Sequence, residues 1–347
     1  MKTIKLNIHG IIKIKIVNPS GGILEDINMP YSYFRVEEEM CPDIEIRIGG
    51  FSEDTEGCSA VDHKYFVKKD YIYFRDTAGP LSWRAQLCGL EEGRYRLDVS
   101  YGFVNRMIMP NNLYPDQILY NFILYPLLEQ CFLRKGYLFL HAGAVADGER
   151  GIIFAGRGSS YKTSIIMDLV RNGFYSLGDG WVIVKGDQLY SFPTCVSFFD
   201  YRKRFMPEEN LSLYDRFRVI KFLTKKTPSN RDWIKDRARL KKLVITYRED
   251  RDKVEIEEIT NKTEVADILL ANNRLEWKAN YPYGGDTRRF LDAYEYVYPE
   301  SPASSCEDTF RQGILNSIEN AHIYKARIPL KWQRGTADTI GKIIKGE

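Results

Sequence analysis

Apolar and polar residues alternate repeatedly through the first hundred residues of the chain. Apolar side chains recur at every second position in Ile4 to Ile8, Ile12 to Ile16 and Ile44 to Ile48, and a shorter apolar run covers Tyr71 to Phe74. Because side chains of a β-strand point alternately to its two faces, this period of two predicts strands with one buried face. We therefore expect a β-rich N-terminal unit over residues 1–110, in which no motif indicates chemistry.

From residue 111 onward, apolar residues at helical spacing join the strand pattern. One helix is expected to begin near Pro115 and Asp116 and to end at Gly136, with a kink at Pro126. Further strands are expected around residues 186–192 and within 242–259, and further helices over 263–272, 287–296 and 308–320. The mixture predicts an α/β fold tending to α+β, with a mixed sheet and a helical C-terminal part, over residues 111–347.

The segment that leads to Gly156 contains two apolar runs joined by Asp147-Gly148. Asp-Gly is a preferred dipeptide of tight turns between antiparallel strands, so the pattern predicts a β-hairpin. If the turn is centred on Gly148 and Glu149, antiparallel counting places His141 opposite Gly156. The histidine is then expected on the strand beside the segment that follows Gly156.

Residues 151–184 have the order of a phosphate-binding unit, which is a strand, a glycine-containing turn, a helix and a second strand. The first strand is expected at Ile152 to Ala155, the helix from about Lys162 to a stop at Asn172-Gly173, and the second strand at Phe174 to Val184. In a P-loop, backbone N–H groups of the turn and of the helix N-terminus bind phosphate oxygens. A plain strand-to-helix turn with a surface lysine is the competing interpretation.

The turn and the first helical turn supply the residues expected to bind a nucleotide. They are Gly156, Gly158, Ser159, Ser160, Tyr161, Lys162, Thr163 and Ser164. Lys162 would reach the β- and γ-phosphates, and Thr163 would place a hydroxyl on Mg²⁺, which prefers oxygen ligands. The usual motif has glycine where Tyr161 stands, and glycine lets the backbone turn tightly, so tyrosine is expected to alter the loop or weaken binding. ATP and Mg²⁺ are the cofactors that this unit implies.

Asp179 and His141 join Lys162 as candidate catalytic residues. A carboxylate at Asp179 could hold Mg²⁺ or a water, or take a proton from an attacking hydroxyl. The alternative is that Asp179-Gly180 is simply a hairpin turn. On the strand beside the loop, His141 could contact a phosphate or orient Asp179, and a purely structural role is an equal alternative.

Composition and charge narrow the function classes. The formal net charge is +3, which shows no excess that would by itself imply nucleic acid or an anionic membrane. The six cysteines form no Cys-x-x-Cys pair, so free thiols in a cytoplasmic protein are expected rather than a zinc site. The most apolar stretch, Ile118 to Leu133, contains polar residues and is shorter than the ~20 apolar residues of a membrane-spanning helix.

The segment from Lys221 to Lys242 is dense in lysine and arginine and is the one candidate for binding RNA or another polyanion. Asp232 and Asp236 interrupt the basic run, and only Phe222 and Trp233 interleave it with aromatic rings. A solvated face is therefore favoured over a nucleic-acid site.

The segment Leu140–Ala142 with its histidine, the turn from Gly156 to Lys162-Thr163, and Asp179 together resemble the HPr kinase/phosphorylase-like family. The resemblance covers Tyr137 to about Pro193 well and the preceding part more loosely. It implies a fold similar to that of phosphoenolpyruvate carboxykinase, with a P-loop on a mixed sheet. The best-known members move phosphate between ATP and a protein serine, and others act on small molecules or beside enzymes that modify ribosomally made peptides.

Carried over by position, Lys162 resembles the family's phosphate-binding lysine and Thr163 its Mg²⁺ ligand. Asp179 resembles the first of two adjacent aspartates, and His141 the histidine upstream of the loop. Gly180 stands where the second aspartate is found. The family's second catalytic carboxylate is therefore absent at its usual position.

Two function classes follow from these residues. The leading one is an ATP-dependent kinase that transfers the γ-phosphoryl group to a hydroxyl of a protein, a peptide or a small molecule, with Asp179 positioning or deprotonating that hydroxyl. The alternative is a nucleotide-binding accessory or regulatory protein with weak or no catalysis, which Tyr161 and Gly180 favour. The sequence does not identify the acceptor, and it leaves a homo-oligomer open.

Overall fold

The structure is a computed structural model in which residues 2–18, 31–78, 81–102, 118–193, 231–278, 287–304, 307–333 and 335–345 are described. Two sequence predictions reach outside this part of the chain. They concern the helix start at Pro115 and Asp116 and the portion of the basic segment before Arg231.

Strands dominate the first part of the chain and alternate with helices in the rest. The strands are β1 (Lys2–Ile8), β2 (Ile12–Asn18), β3 (Arg35–Val36), β4 (Ile44–Ile48), β5 (Ser59–Val61), β6 (Tyr65–Lys68), β7 (Tyr71–Ala78), β8 (Leu81–Cys88), β9 (Tyr95–Tyr101), β10 (Leu138–Leu140), β11 (Ala142–Asp147), β12 (Arg150–Ala155), β13 (Tyr175–Gly178), β14 (Val182–Lys185), β15 (Gln188–Tyr190), β16 (Arg237–Glu249), β17 (Glu255–Glu258) and β18 (His322–Pro329). The α-helices are α1 (Tyr125–Arg134), α2 (Lys162–Arg171), α3 (Lys262–Trp277), α4 (Arg289–Val297), α5 (Glu307–Ser317) and α6 (Thr336–Lys345). This composition confirms a mixed α/β fold.

Contacts between residues divide the chain into two compact units. The first comprises Met1–Lys135 and Trp277–Cys306, and the second comprises Gly136–Glu276 and Glu307–Glu347. The first unit thus extends past residue 110 and includes a second segment from the C-terminal part of the chain. That segment belongs to the first unit because α4 lies against β6 and β7, where Phe290 stacks on Phe74 with ring centroids 4.9 Å apart.

The first unit contains a nine-stranded mixed sheet in the order β3-β1-β2-β4-β9-β8-β7-β6-β5. The predicted alternation is confirmed in β2, where Ile12, Ile14 and Ile16 are fully buried and the lysines between them are not. A buried isoleucine contributes about 1.5–3 kcal/mol relative to an exposed one, so the alternating pattern holds one face of this sheet against the core.

The kink predicted at Pro126 coincides with a change from a π-helix to an α-helix. A π-helical segment covers Ile118–Leu124, and α1 begins at Tyr125 with Pro126 in its first turn. Proline has no N–H to donate, which is tolerated at the start of a helix and not in its middle. Gly136 follows the helix with φ of 74°, the left-handed conformation that commonly ends helices.

The second unit is built on a mixed sheet in the order β10-β14-β15-β16-β12-β11-β13, which β18 and β17 extend from β16. The predicted hairpin is confirmed, because β11 and β12 pair antiparallel from Ala142–Ala155 to Asp147–Arg150. Continuing that register by one residue places His141 opposite Gly156. On its other edge β12 pairs parallel with β16, so the loop after Ala155 emerges between two neighbours.

The predicted strand Phe174 to Val184 is wrong as a single element, because it is divided into β13 and β14. Leu140 pairs with Val182 and Ala144 pairs with Gly178, so both pairs belong to one antiparallel register. The pairing is interrupted for a few residues on each of the two segments. His141 lies in this gap on one segment, and Asp179 lies in it on the other. β13 and β14 do not pair with each other, so Asp179-Gly180 is not a hairpin turn.

Two asparagines of α3 supply hydrogen bonds where the ladder is interrupted. The Asn273 side chain accepts a hydrogen bond from the backbone N–H of His141 at 2.8 Å and donates one to the carbonyl of Phe139 at 2.7 Å. The Asn272 side chain donates to the carbonyl of His141 at 2.7 Å. Buried backbone groups require such partners, so α3 fixes the backbone of His141 beside the loop.

Two smaller predictions concern membranes and thiols. Within the described residues, none of the helices combines the length and the apolarity that crossing a membrane would require. Cys41, Cys58, Cys88 and Cys131 are free thiols, as expected, and the other two cysteines lie outside the described residues.

Replacing Asn273 with alanine should destabilise the second unit. The substitution leaves the N–H of His141 and the carbonyl of Phe139 buried without partners, and each unpaired group costs about 1–3 kcal/mol. We expect the free energy of unfolding to fall by about 2 kcal/mol or more, measured by urea-induced unfolding followed by circular dichroism.

The matched control for this prediction is Asn316→Ala, which removes an exposed asparagine from α5 of the same unit. Alanine favours a helix more than asparagine does, so this variant should be as stable as the unmodified protein or slightly more stable. Equal stabilities of the two variants would contradict the role assigned to Asn273.

Candidate functional site

A six-residue loop, 156–161, connects the end of β12 to the start of α2. Ser159 and Tyr161 both have left-handed backbone conformations, with φ of 67° and 66°. No side chain caps the N-terminus of α2. The first N–H groups of a helix have no partner within the helix, and together with the helix dipole they attract anions. The loop and helix are therefore arranged as an anion-binding turn requires.

Tyr161 occupies the position where the usual motif has glycine. Its side chain contacts Arg248 of β16 and the segment 330–332. Its hydroxyl donates to the carbonyl of Leu330 at 2.5 Å, and the guanidinium of Arg248 lies 4.4 Å from its ring centroid. Trp332 packs at 5.1 Å between ring centroids. A left-handed conformation costs an ordinary residue about 1–2 kcal/mol. These contacts offset that strain, so tyrosine keeps a backbone conformation that glycine adopts easily.

Close packing against β16 fixes the first residue of the loop. A Cβ atom at Gly156 would lie 2.6 Å from both the carbonyl and the hydroxyl oxygen of Thr246, and 2.7 Å from the hydroxyl of Ser160. The Thr246 hydroxyl donates to the carbonyl of Ala155 at 3.0 Å and lies 2.9 Å from the Ser160 hydroxyl. No side chain larger than hydrogen fits at Gly156. A Cβ atom at Gly158, in contrast, would have no atom within 4 Å.

Lys162 is the first residue of α2, and its side chain turns back into the loop. Its ammonium donates to the carbonyls of Gly156 at 2.6 Å and Arg157 at 3.2 Å, and the residue is only 7% exposed. Burial lowers the pKa of Lys162, while the negative charges of Asp179 and Glu276 act in the opposite direction. The ammonium of Lys162 is therefore held within the loop by loop carbonyls.

The next residue, Thr163 of α2, contacts Asp179, which lies in the gap in the ladder. The Thr163 hydroxyl donates to the Asp179 carboxylate at 3.0 Å, and both residues are half-buried. A hydroxyl and a carboxylate at this separation are oxygen donors of the kind that Mg²⁺ prefers, and this ion usually keeps several waters. Within the described residues, no group of three or more histidine, cysteine or acidic side chains is arranged to hold a metal alone. Any divalent cation here would need ligands from water or from a substrate.

His141 lies in the same gap, and its ring packs against Trp181 at 5.4 Å between centroids. Its Nδ1 atom is 3.4 Å from Oε2 of Glu276. Burial lowers the pKa of His141 well below its usual value, and the positive charges of Lys162 and Arg157 lower it further. The imidazole is therefore neutral at pH 7, and its contact with Glu276 is not an ion pair.

Sequence reasoning missed two residues of this cluster, Arg157 and Glu276. The Arg157 guanidinium donates to the carbonyls of Asn272 at 3.1 Å and Leu275 at 3.3 Å and to the Glu276 carboxylate at 3.3 Å. A basic residue inside the predicted loop was a visible signal for Arg157. Glu276 was missed because the helix expected over 263–272 in fact continues to Trp277.

A cleft of about 530 Å³ lies beside the loop within the second unit. Its walls are Ala155 at the end of β12, loop residues 156–160, strand residues 245–248 and one face of α3. Leu330 also lines it. Leu275 and Leu330, which are 50% and 46% exposed, give this cleft an apolar surface open to solvent. Its volume is within the range of about 300–1,000 Å³ that is common for small-molecule sites.

The remaining predicted site residues lie on the same turn. Ser159 is exposed, Ser160 is buried against Thr246, and Ser164 is half-buried in the first turn of α2. The carbonyl of Ser159 accepts a hydrogen bond from Arg248 at 3.2 Å. The structure thus brings the predicted loop residues, His141 and Asp179 to one end of the sheet.

The basic segment has a different arrangement, as far as it is described. Arg237, Arg239 and Lys241 are exposed at alternate positions of β16, and the residues between them are buried. Lys235 pairs with Glu149 at 2.5 Å. This is the pattern of a strand with one face in solvent.

Comparison with known proteins gives little further information. No protein-family model and no curated protein matches the chain. Among solved structures, the chain is similar to the Hpr(Ser) kinase/phosphatase from Coxiella burnetii, with 8% sequence identity, a TM-score of 0.24, and coverage of 60% of this chain and 88% of that chain. A similarity this distant carries no weight for the chemistry, so the interpretation of the site depends on its own geometry.

Gly156→Ala should destabilise the protein, because the added methyl group meets the backbone and hydroxyl of Thr246. Overpacking of this kind costs about 1–3 kcal/mol. Gly158→Ala, two residues away in open space, should change the free energy of unfolding by about 0.5 kcal/mol or less. Urea-induced unfolding of both variants measures the difference, and similar losses for the two would contradict the packing described for Gly156.

Proposed function

We propose that the second unit binds a nucleoside triphosphate with Mg²⁺ and transfers its γ-phosphoryl group to a hydroxyl of a protein, peptide or small molecule. The observation that carries the proposal is the arrangement around α2. A buried lysine opens the helix, the next residue holds a carboxylate at 3.0 Å, and both follow a loop that leaves a parallel-paired strand. This arrangement supports assigning the loop as a P-loop, in which the protein would supply positioning and charge.

Each residue has a defined task in this proposal. The N–H groups of the loop and of the first turn of α2 bind phosphate oxygens, and Lys162 exchanges its bonds to loop carbonyls for bonds to the β- and γ-phosphates. Thr163 and Asp179 would hold Mg²⁺, which would neutralise charge on the phosphoryl group. Asp179 also orients the acceptor hydroxyl. ATP is the nucleotide that the resemblance of the loop favours.

A nucleotide-binding accessory or regulatory protein is the second candidate function. Gly180 favours it, because the family's second aspartate is missing at that position. The hydrogen bonds from Lys162 to the loop carbonyls also favour it, since they have to be broken before phosphate can bind. Saturable ATP binding without transfer or hydrolysis would support this second function over the kinase.

Lys162→Met should weaken the binding of ATP. Methionine keeps most of the buried apolar stem of the lysine but removes the cation that contacts the phosphates. Charge-assisted hydrogen bonds contribute about 1.5–3 kcal/mol each, so affinity should fall at least tenfold by isothermal titration calorimetry in the presence of Mg²⁺. Lys185→Met, at an exposed end of β14, is the control and should bind ATP as the unmodified protein does.

Asp179→Asn should separate binding from chemistry. Asparagine keeps an oxygen near Thr163 but removes the negative charge that favours Mg²⁺ at this position. We expect ATP affinity to change much less than the rate of phosphate release, which should fall about a hundredfold or more. Equal rates in the variant and the unmodified protein would show that this carboxylate takes no part in catalysis.

A further inference from the structure

A carboxylate that sequence reasoning missed lies between three groups of the candidate site. Glu276, at the end of α3, has its Oε2 atom 3.4 Å from Nδ1 of His141 and 3.3 Å from a guanidinium nitrogen of Arg157. Its negative charge also favours the protonated form of Lys162, whose pKa is lowered chiefly by burial. The Glu276 side chain is 18% exposed and that of His141 is 8% exposed, so the pair is largely removed from water.

We propose that His141 accepts the proton of the acceptor hydroxyl and that Glu276 positions its ring. The inference rests on the proposed function, since it assigns one step of phosphoryl transfer. His141 would be a catalytic residue, because it touches the reacting hydroxyl. Glu276 would be a positioning residue, because it acts through His141.

The geometry sets which ring nitrogen carries the proton. Nδ1 is buried and has no hydrogen-bond partner in the described part of the chain, and the nearby Glu276 carboxylate can only accept a proton or a hydrogen bond. A proton on Nδ1 would point at this carboxylate and would leave the lone pair of Nε2 for the acceptor hydroxyl. The 3.4 Å separation is longer than a hydrogen bond, and such catalytic contacts often shorten only when substrate is bound.

A structural role for the ring accounts poorly for the same observations. The hydrogen bonds of Asn272 and Asn273 to the backbone of His141 do not involve the imidazole. Burying Nδ1 without a hydrogen-bond partner destabilises the protein, and an apolar side chain against Trp181 would avoid that penalty. Packing against Trp181 alone therefore does not explain a histidine at this position.

The surrounding charges make the basicity of His141 depend on the nucleotide. The charged groups that face the ring are Lys162 of α2, Arg157 of the loop and Glu276 of α3, and a side-chain hydrogen bond with Asn272 of α3 acts against the lowering of its pKa. Burial and the two cations lower the pKa of His141 in the nucleotide-free protein. Phosphate oxygens bound to Lys162 would offset its positive charge, so the pKa of His141 should rise towards the range useful for a general base.

The proposed step conserves atoms and electrons. The O–H bond of the acceptor breaks and its proton moves to Nε2 of His141, while the oxygen forms a bond to the γ-phosphorus. The bond from the γ-phosphorus to the bridging oxygen breaks, and its electron pair leaves with the nucleoside diphosphate. The imidazolium formed beside Glu276 then releases its proton to water. The Asp179 carboxylate accepts a hydrogen bond from the Thr163 hydroxyl. Asp179 would keep its role as a ligand of Mg²⁺ in this step.

The test uses the full-length protein with ATP and Mg²⁺, and water serves as the hydroxyl acceptor. His141→Gln, Glu276→Gln and the double variant are compared with Glu264→Gln, which changes an exposed glutamate on the same helix. ATP affinity is measured by calorimetry, and phosphate release is measured under single-turnover conditions from pH 5 to 9. Circular dichroism establishes that each variant is folded.

His141→Gln should lower the rate about a hundredfold or more and remove the loss of activity at low pH, which arises as the general base becomes protonated. Glu276→Gln should lower the rate about 10–100-fold and move that loss to lower pH, because the imidazolium is no longer stabilised. The double variant should be no slower than His141→Gln, and ATP affinity should change far less than the rate in all three.

Three results would overturn the inference. They are a rate for His141→Gln equal to that of Glu264→Gln, an unchanged pH profile in Glu276→Gln, or a double variant slower by the product of the two single effects. Absence of ATP binding or of phosphate release in the unmodified protein would instead show that the proposed function itself is wrong. The two failures are therefore distinguishable.

Discussion

In the second unit, the pairing between segments 138–147 and 175–185 is interrupted, and the backbone groups there need other hydrogen-bond partners. Backbone N–H and C=O groups in a protein interior are almost always paired, so a gap in a ladder survives only if other groups fill it. Asn272 and Asn273 do so for His141. These asparagine contacts join α3, which carries Glu276, to the gap in which His141 and Asp179 lie.

The loop itself depends on a balance between strain and anchoring. Tyr161 adopts a left-handed conformation that its side chain disfavours, and the contacts with Leu330 and Arg248 hold it there. Lys162 is buried as a cation, which is unfavourable unless carbonyls and nearby carboxylates compensate. A loop held in this way is prepared for an anion, because phosphate oxygens could replace the carbonyls that now accept from Lys162.

Much of this arrangement could be predicted from the sequence, because it is encoded locally. The period of two in Ile12 to Ile16 predicts a strand, and the Asp147-Gly148 dipeptide predicts a hairpin whose register places His141 opposite Gly156. The parts that could not be predicted depend on contacts between distant segments. Division of the strand 174–184 requires α3 to fill the gap, and Glu276 becomes part of the site only because that helix continues past residue 272.

The contacts that hold Tyr161 also could not be predicted from the local sequence. Nothing local distinguishes a tyrosine that distorts a loop from one held in place by Leu330, Arg248 and Trp332, which are far away in the sequence. The substitution of glycine by tyrosine predicted an altered loop or weaker nucleotide binding. The structure shows that the conformation of this loop depends on long-range contacts.

The most direct measurement is a crystal structure of the full chain with a non-hydrolysable ATP analogue and Mg²⁺. The account predicts phosphate density against the N–H groups of residues 158–164 and an Mg²⁺ ion about 2.1 Å from the Thr163 hydroxyl oxygen. Ordered nucleotide at another position, with Lys162 still bonded to the carbonyl of Gly156, would contradict it.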